Sequence, residues 1–177
     1  MAFERVATRK AYEGRIATVR VDTIRYDDGE EAVREIVEHP GAVAVVAHDG
    51  ERLYLVRQPR EAVGEQALLE LPAGKLDEEG EDVLTTAKRE LAEEIGKGAR
   101  TWERLTAFYS SPGFAAEEVH VYLATDLYDE RADPGELERI EVEAVPLERI
   151  DDVIAECRDA KSLVGLLWLR AYRRARD

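Results

Sequence analysis

Between residues 14 and 26 the chain places Ile16, Val19, Val21 and Ile24 in a segment rich in β-branched side chains, and Asp27-Asp28-Gly29 then offers a turn into residues 32–38. This alternation predicts an antiparallel β-hairpin. The next run, Ala42-Val43-Ala44-Val45-Val46-Ala47, is apolar without a break, as expected of a strand covered on both faces. Asp49-Gly50 marks the turn into a partner strand over 52–58. Further strands are predicted over 68–71, 104–109, 118–125 and 140–146, and helices over 82–95, 147–157 and 162–175. In the last helix Leu163, Leu166, Leu167 and Ala171 share one face. Many strands with only three helices predict a mixed sheet rather than a doubly wound βαβ arrangement. The expected architecture is an α/β/α sandwich preceded by an N-terminal antiparallel hairpin.

No internal repeat or linker interrupts this pattern, and the longest polar stretch, residues 126–138, reads as a loop. A chain of 177 residues with 45% hydrophobic content suits one sizeable core. The expected division is a hairpin region over 1–40 and a main domain over 41–177. A hairpin is poorly stable alone, so residues 1–40 are expected to pack on a second subunit and make a homodimer. With 39 acids against 25 bases the formal charge is −14, which repels polyanions and argues against nucleic acid as a partner. The single cysteine, Cys157, has no intramolecular partner, the N-terminus lacks the pattern of a signal peptide, and no apolar run is long enough to span a membrane. A cytoplasmic protein with no membrane partner is the expectation. His39, His48 and His120 lack metal-site spacing and suit surface or strand positions, while Trp102 and Trp168 suit packing.

The chemistry concentrates between Leu71 and Gly96. In the helix predicted there, Leu84, Ala87, Leu91 and Ile95 form an apolar stripe, and Glu90 and Glu94 stand one turn apart on a common side. Hard cations such as Mg²⁺ take oxygen ligands, often one or two carboxylates completed by water and phosphate, and this pair supplies them. Glu93 adds charge beside the pair, and Arg89 is placed to hold the loop carboxylate Glu81. Gly74 and Gly80 permit sharp loop conformations. The alternative is a solvated Glu-rich helix face.

Together, Gly74-x6-Glu81-x7-Arg89-Glu90-Leu91-x-Glu93-Glu94-x-Gly96 resembles the Nudix box. It departs from the common form by one extra residue between Gly74 and Glu81 and by Lys97 where an apolar residue usually follows the last glycine. The resemblance implies a Nudix-type fold and metal-dependent hydrolysis of a nucleoside diphosphate linked to another group. It makes Ala73, Glu90 and Glu94 metal ligands, Glu93 an accessory catalytic carboxylate, and Gly74, Glu81, Arg89 and Gly96 structural positions. Mg²⁺ is the implied cofactor, with Mn²⁺ as a substitute.

Glu70-Leu71-Pro72-Ala73-Gly74 and Ser111-Pro112-Gly113-Phe114-x-x-Glu117, with Pro112 sixteen residues after Gly96, are similar to the ADP-ribose pyrophosphatase group. That resemblance implies that Arg60 faces the phosphates, the alternative being a surface arginine. It implies that Arg34 and Glu35 reach substrate across a dimer interface, the alternative being an exposed strand pair. Glu117, Ser111 and Lys75 become substrate neighbours, although Glu118 shows that a surface carboxylate here is ordinary. Glu136 is assigned as the base and Glu138 as a metal neighbour, with Glu141 and Glu143 as competing choices. The expected reaction is cleavage of ADP-ribose to AMP and ribose 5-phosphate. GDP-mannose or another nucleotide sugar is the alternative substrate, and a non-catalytic Nudix-like sensor is a second class.

Overall fold

The computed structural model describes residues 2–130 and 139–174. The chain divides into two compact units, Met1–Gly41 with Tyr109–Glu118, and Ala42–Phe108 with Val119–Asp177. The smaller unit is a three-stranded antiparallel sheet of β1 (Phe3–Glu13), β2 (Thr18–Tyr26) and β3 (Glu31–Glu38), in that order. The hairpin between β2 and β3 closes at Gly29, whose φ of 86° is left-handed and suits a residue without Cβ. Sequence periodicity missed β1. Its charges Glu4, Arg5, Arg9, Lys10 and Glu13 hide any alternation, and all of its residues are exposed. Cross-strand pairing with β2, from Phe3 opposite Tyr26 to Glu13 opposite Thr18, is what forms the strand.

Little of this sheet is buried. Ile24 and Asp22 are covered, whereas Phe3, Tyr12 and Val33 of the strands and Ile16 of the β1–β2 turn are 61–71% exposed. Asp22 accepts hydrogen bonds from Thr8 Oγ1 at 2.6 Å and Arg20 Nε at 2.8 Å, which satisfies a carboxylate that burial alone would penalise. The segment Tyr109–Glu118 joins the unit through Val37, whose N–H donates to Phe114 O and whose carbonyl accepts from Ala116 N.

The larger unit contains β4 (Ala42–His48), β5 (Arg52–Arg60), β6 (Glu65–Glu70), β7 (Ala73–Lys75), α1 (Val83–Ile95), β8 (Lys97–Tyr109), β9 (Glu118–Asp129), β10 (Glu141–Pro146), α2 (Ile150–Glu156) and α3 (Ala160–Arg174). The sheet runs β10-β5-β4-β9-β8, with β6 on β5 and β7 on β4. β4 and β9 are parallel, while β5 is antiparallel to β4, β6 and β10, so the sheet is mixed. Alternate residues feed opposite cores. Val43, Val45, Ala47 and Val56 pack with Ala87, Leu91 and Ile95 of α1. Val46, Leu53, Leu55, Val121 and Leu123 pack with Val153 of α2 and Leu166 and Leu169 of α3. The result is a sheet between helical layers, the α/β/α sandwich.

Several elements differ from the sequence pattern. β7 lies inside the stretch read as a glycine loop, and β8 begins at Lys97 rather than near Arg104 because it extends directly from the helix end. The segment read as one helix over 147–157 starts with a 3₁₀ turn, Leu147–Arg149. The buried face of α3 is Ser162, Gly165, Leu166 and Leu169; Leu167 and Trp168 are 41% and 45% exposed, and Ala171 is exposed too. Packing therefore does not explain Trp168, although Trp102 is half-buried edge-on to Tyr122. Gly165 sets the α3 face, since a Cβ there would come within 2.6 Å of Leu71 Cδ1 and 2.9 Å of Val46 Cγ2. Among the described residues no helix is long and apolar enough to cross a membrane.

Candidate active site

The α1 helix opens at Asp82, whose Oδ1 accepts from the Thr85 N–H at 2.8 Å, and ends at Gly96, whose left-handed φ of 67° lets its N–H reach Ala92 O at 3.0 Å. Ala87, Leu91 and Ile95 fix its rotation by facing the sheet. The same rotation buries two carboxylates, Glu90 at 8% exposure and Glu94 at 7%. Glu94 Oε2 accepts the Ala73 N–H at 3.0 Å. Glu90 lies against Gly74 so closely that a Cβ there would stand 1.9 Å from its Oε1. Gly74 sits in a regular strand opposite Val43, so its missing side chain serves this close approach, whereas Gly80, at φ 87°, serves a turn. Both acids thus converge on two residues of β7.

Arg89 spreads one positive charge over three acids. Its Nη1 donates to Glu90 Oε1 at 2.8 Å and Glu93 Oε2 at 3.0 Å, and its Nε faces Glu81 Oε1 at 3.2 Å. Burial works against the guanidinium charge, but Glu90 and Glu93 outweigh it and raise the arginine pKa well above its usual value. Thr86 Oγ1 donates to Glu81 Oε2 at 3.0 Å and ties the loop carboxylate to the first turn of the helix.

Among the described residues, no three side chains of His, Cys, Asp or Glu gather to hold a metal ion by themselves. Two carboxylates beside the Ala73 backbone nevertheless match a small hard cation, which takes few protein oxygens and completes its shell with water and substrate phosphate. The donor chemistry therefore fits a divalent ion shared with a diphosphate.

A second polar cluster adjoins the same strand end. Arg60, the last residue of β5, meets Glu70 with two hydrogen bonds, Nε to Oε1 at 2.6 Å and Nη2 to Oε2 at 2.8 Å. Lys161 Nζ reaches Glu70 Oε2 at 2.5 Å, and Ser162 Oγ accepts the Leu71 N–H at 2.7 Å while donating to Asp159 Oδ2 at 2.6 Å. Burial acts to raise the Glu70 pKa, but Arg60 and Lys161 prevail and hold it below the usual value. Sequence reasoning gave Glu70, Asp159, Lys161 and Ser162 no role. Glu70 stood inside the Glu-Leu-Pro-Ala-Gly stretch, but its partner Lys161 lies 91 positions away.

The remaining candidates are dispersed. Lys75 is exposed at the end of β7. Glu143 pairs with Arg57 Nε at 2.5 Å, and the same guanidinium holds Glu156 of α2, so this competing choice for the base is built into an interstrand clamp. Glu141 is exposed at the start of β10. Glu136 and Glu138 lie outside the described residues.

In the smaller unit, Arg34 donates to Tyr26 Oη at 2.9 Å and lines a cavity of about 450 Å³ with Arg20, Tyr26, Tyr109, Pro112 and Phe114. Glu35 is exposed on β3. The Ser111 carbonyl accepts from the N–H groups of Phe114 and Ala115, and Glu117 stands 3.5 Å from His39 Nδ1.

Comparison with known proteins supplies the context for these residues. The chain is 40% identical over 170 residues to the ADP-ribose pyrophosphatase of Bacillus subtilis (strain 168), covering 93% of this chain and 91% of that one. It is 38% identical over 170 residues to the methanol dehydrogenase activator of Bacillus methanolicus, again 93% and 91% of the two chains. A crystal structure of an ADP compounds hydrolase shares the fold, with a TM-score of 0.87 at 24% identity over 99% of this chain and 96% of the other. The NUDIX domain model matches residues 37–163, which include α1, β7 and the Arg60–Glu70 pair. The chain belongs to the Nudix family.

Proposed function

We propose that this protein hydrolyses the diphosphate of ADP-ribose to AMP and ribose 5-phosphate, with Mg²⁺ as its divalent ion and Mn²⁺ as a substitute. The observation that carries the reading is the convergence of buried Glu90 and Glu94 on Ala73 and Gly74. Divalent ions serve Nudix hydrolases in general, and the likeness to an ADP-ribose pyrophosphatase over 93% of the chain supports the substrate. When bound, such ions offset the diphosphate charge and acidify the attacking water.

The residues of the chain divide the remaining work. Glu90, Glu94 and the Ala73 carbonyl hold the ion. Arg89 keeps Glu90, Glu93 and Glu81 from repelling one another, so that Glu93 stays at hand as the accessory carboxylate. Arg60 binds phosphate oxygens, and Lys75 flanks them. On the family resemblance, Glu136 takes the proton from the attacking water and Glu138 adds a metal-facing acid. Water adds to phosphorus as the bridging P–O bond breaks, and the two monophosphates leave.

The exposed apolar side chains of the three-stranded sheet support a homodimer in which Arg34 and Glu35 reach the partner's substrate, with Ser111 and Glu117 beside its adenosine end. A buried free thiol, Cys157, suits the reducing cytoplasm. The test is release of AMP from ADP-ribose, followed by chromatography with and without Mg²⁺. No metal-dependent AMP would overturn the reading, and a higher kcat/KM with GDP-mannose would reassign the substrate.

A further inference from the structure

We propose that Glu70 is a positioning residue that fixes the Arg60 guanidinium for the diphosphate; this rests on the reading that Arg60 binds substrate phosphates. The pairing register makes the point. Glu70 stands opposite Val56, not opposite Arg60, and the β5–β6 pairing slips by one residue between Gln58 and Arg60. The Arg60 side chain therefore runs back along the strand to find its partner, toward the end of β6 that leads through Leu71 and Pro72 to Ala73. An arginine at 40% side-chain exposure on its own would sample many rotamers. Two parallel hydrogen bonds to a carboxylate at 1% exposure remove that freedom.

The carboxylate is itself held from behind. Lys161 Nζ donates to Oε2, and the first turn of α3 is locked to the same segment by the Asp159–Ser162–Leu71 chain of hydrogen bonds. Arg60 spends Nε and Nη2 on Glu70, and among the described residues no acceptor takes its Nη1. That leaves Nη1 as the donor for a phosphate oxygen. A guanidinium oriented beforehand binds a diphosphate without losing its rotamer entropy at that moment, so the contribution belongs to substrate affinity. A bystander ion pair would affect folding and leave affinity alone.

Steady-state kinetics on the full chain with ADP-ribose and Mg²⁺ test this in four variants: Glu70→Gln, Glu70→Asp, Arg60→Ala and the double variant Glu70→Gln/Arg60→Ala. Expected are a rise in KM of about tenfold for Glu70→Gln and about threefold for Glu70→Asp, with kcat within about threefold of wild type. In the Arg60→Ala background, Glu70→Gln should add nothing, because the two residues act as one unit. Glu70→Asp keeps the buried charge balanced and carries the test should Glu70→Gln fail to fold. If Arg60→Ala raises KM but neither Glu70 variant does, or if the two effects multiply, the positioning role is overturned and the phosphate role of Arg60 stands. If Arg60→Ala itself leaves KM unchanged, both fall.

Discussion

In the larger unit all six residues from Ala42 to Ala47 are at 8% exposure or less, whereas every residue of β1 in the smaller unit is exposed. β4 lies between β5 and β9 and is covered on both faces, whereas β1 is the edge strand of its sheet and is covered on neither. The larger unit therefore has the dense surroundings needed to hold Glu90, Glu94 and Glu70 away from water in fixed positions, with Arg89, Arg60 and Lys161 offsetting them. The smaller unit buries one carboxylate, Asp22, and answers it locally with Thr8 and Arg20. Its remaining asset is apolar surface, with Phe3, Tyr12, Ile16 and Val33 all more than 60% exposed. The contrast separates a body that holds charged groups in a dense core from one that leaves apolar side chains open.

The largest expected effect comes from breaking the first side of this contrast. Glu94→Gln keeps an oxygen that can accept the Ala73 N–H, so thermal unfolding should be little changed, while kcat for ADP-ribose falls by about a thousandfold. Near-normal metal-dependent turnover would remove Glu94 from the site. Next, Gly74→Ala inserts a methyl group where Glu90 already lies. Activity should fall roughly a hundredfold with a Tm loss of only a few degrees, since one carboxylate is displaced while the core is spared. A fully active, unshifted Gly74→Ala enzyme would show that Glu90 need not be there.

The other side of the contrast is sharpened by Val33→Asp, which places a charge on the open sheet, and Ile16→Asp, which places one on the turn between β1 and β2. Light scattering at micromolar concentration should show a dimer for wild type and at least a tenfold weaker association for the variants. A monomeric, fully active wild-type protein would defeat the role of Arg34 and Glu35 across an interface. The smallest effect concerns acid. Because the folded Glu70 titrates below its usual value of 4.5, its ionised form stabilises the fold above that pH, and the contribution is lost as pH falls through the lower folded value. Between about pH 5 and pH 3 the Tm of wild type should drop by about 3–5 °C more than that of Glu70→Gln. Equal drops would mean that the buried ion network adds nothing pH-dependent.

Where burial was strong, the sequence was readable. The apolar run of β4 and the 3.6-residue stripe of α1 identify central elements because their side chains repeat with the geometry that buries them. β1 left no such trace, since none of its side chains enters a core and it is held by backbone pairing and polar side-chain contacts to β2. The face of α3 was misplaced for a related reason. Its buried face joins Leu166 and Leu169 to Ser162 and Gly165, small residues that carry no hydropathy signal but allow close approach. In the site, the spacing from Gly74 to Gly96 brought forward Glu90 and Glu94, which are local to one helix. The Glu70 cluster was invisible because it joins β5, β6 and α3 across 91 positions, and no short-range pattern encodes such a meeting.

Gly165 extends these contacts to matters of inheritance and engineering. It lets α3 rest on Leu71, one residue after Glu70 and two before Ala73, with space for a hydrogen atom and nothing larger. Replacing a mid-helix glycine by alanine is a common move in stabilising campaigns, because it favours the helical backbone. At this position the added carbon would instead press on Leu71 Cδ1 and Val46 Cγ2 and overpack the core, so a lineage selected for heat resistance would be expected to keep the glycine.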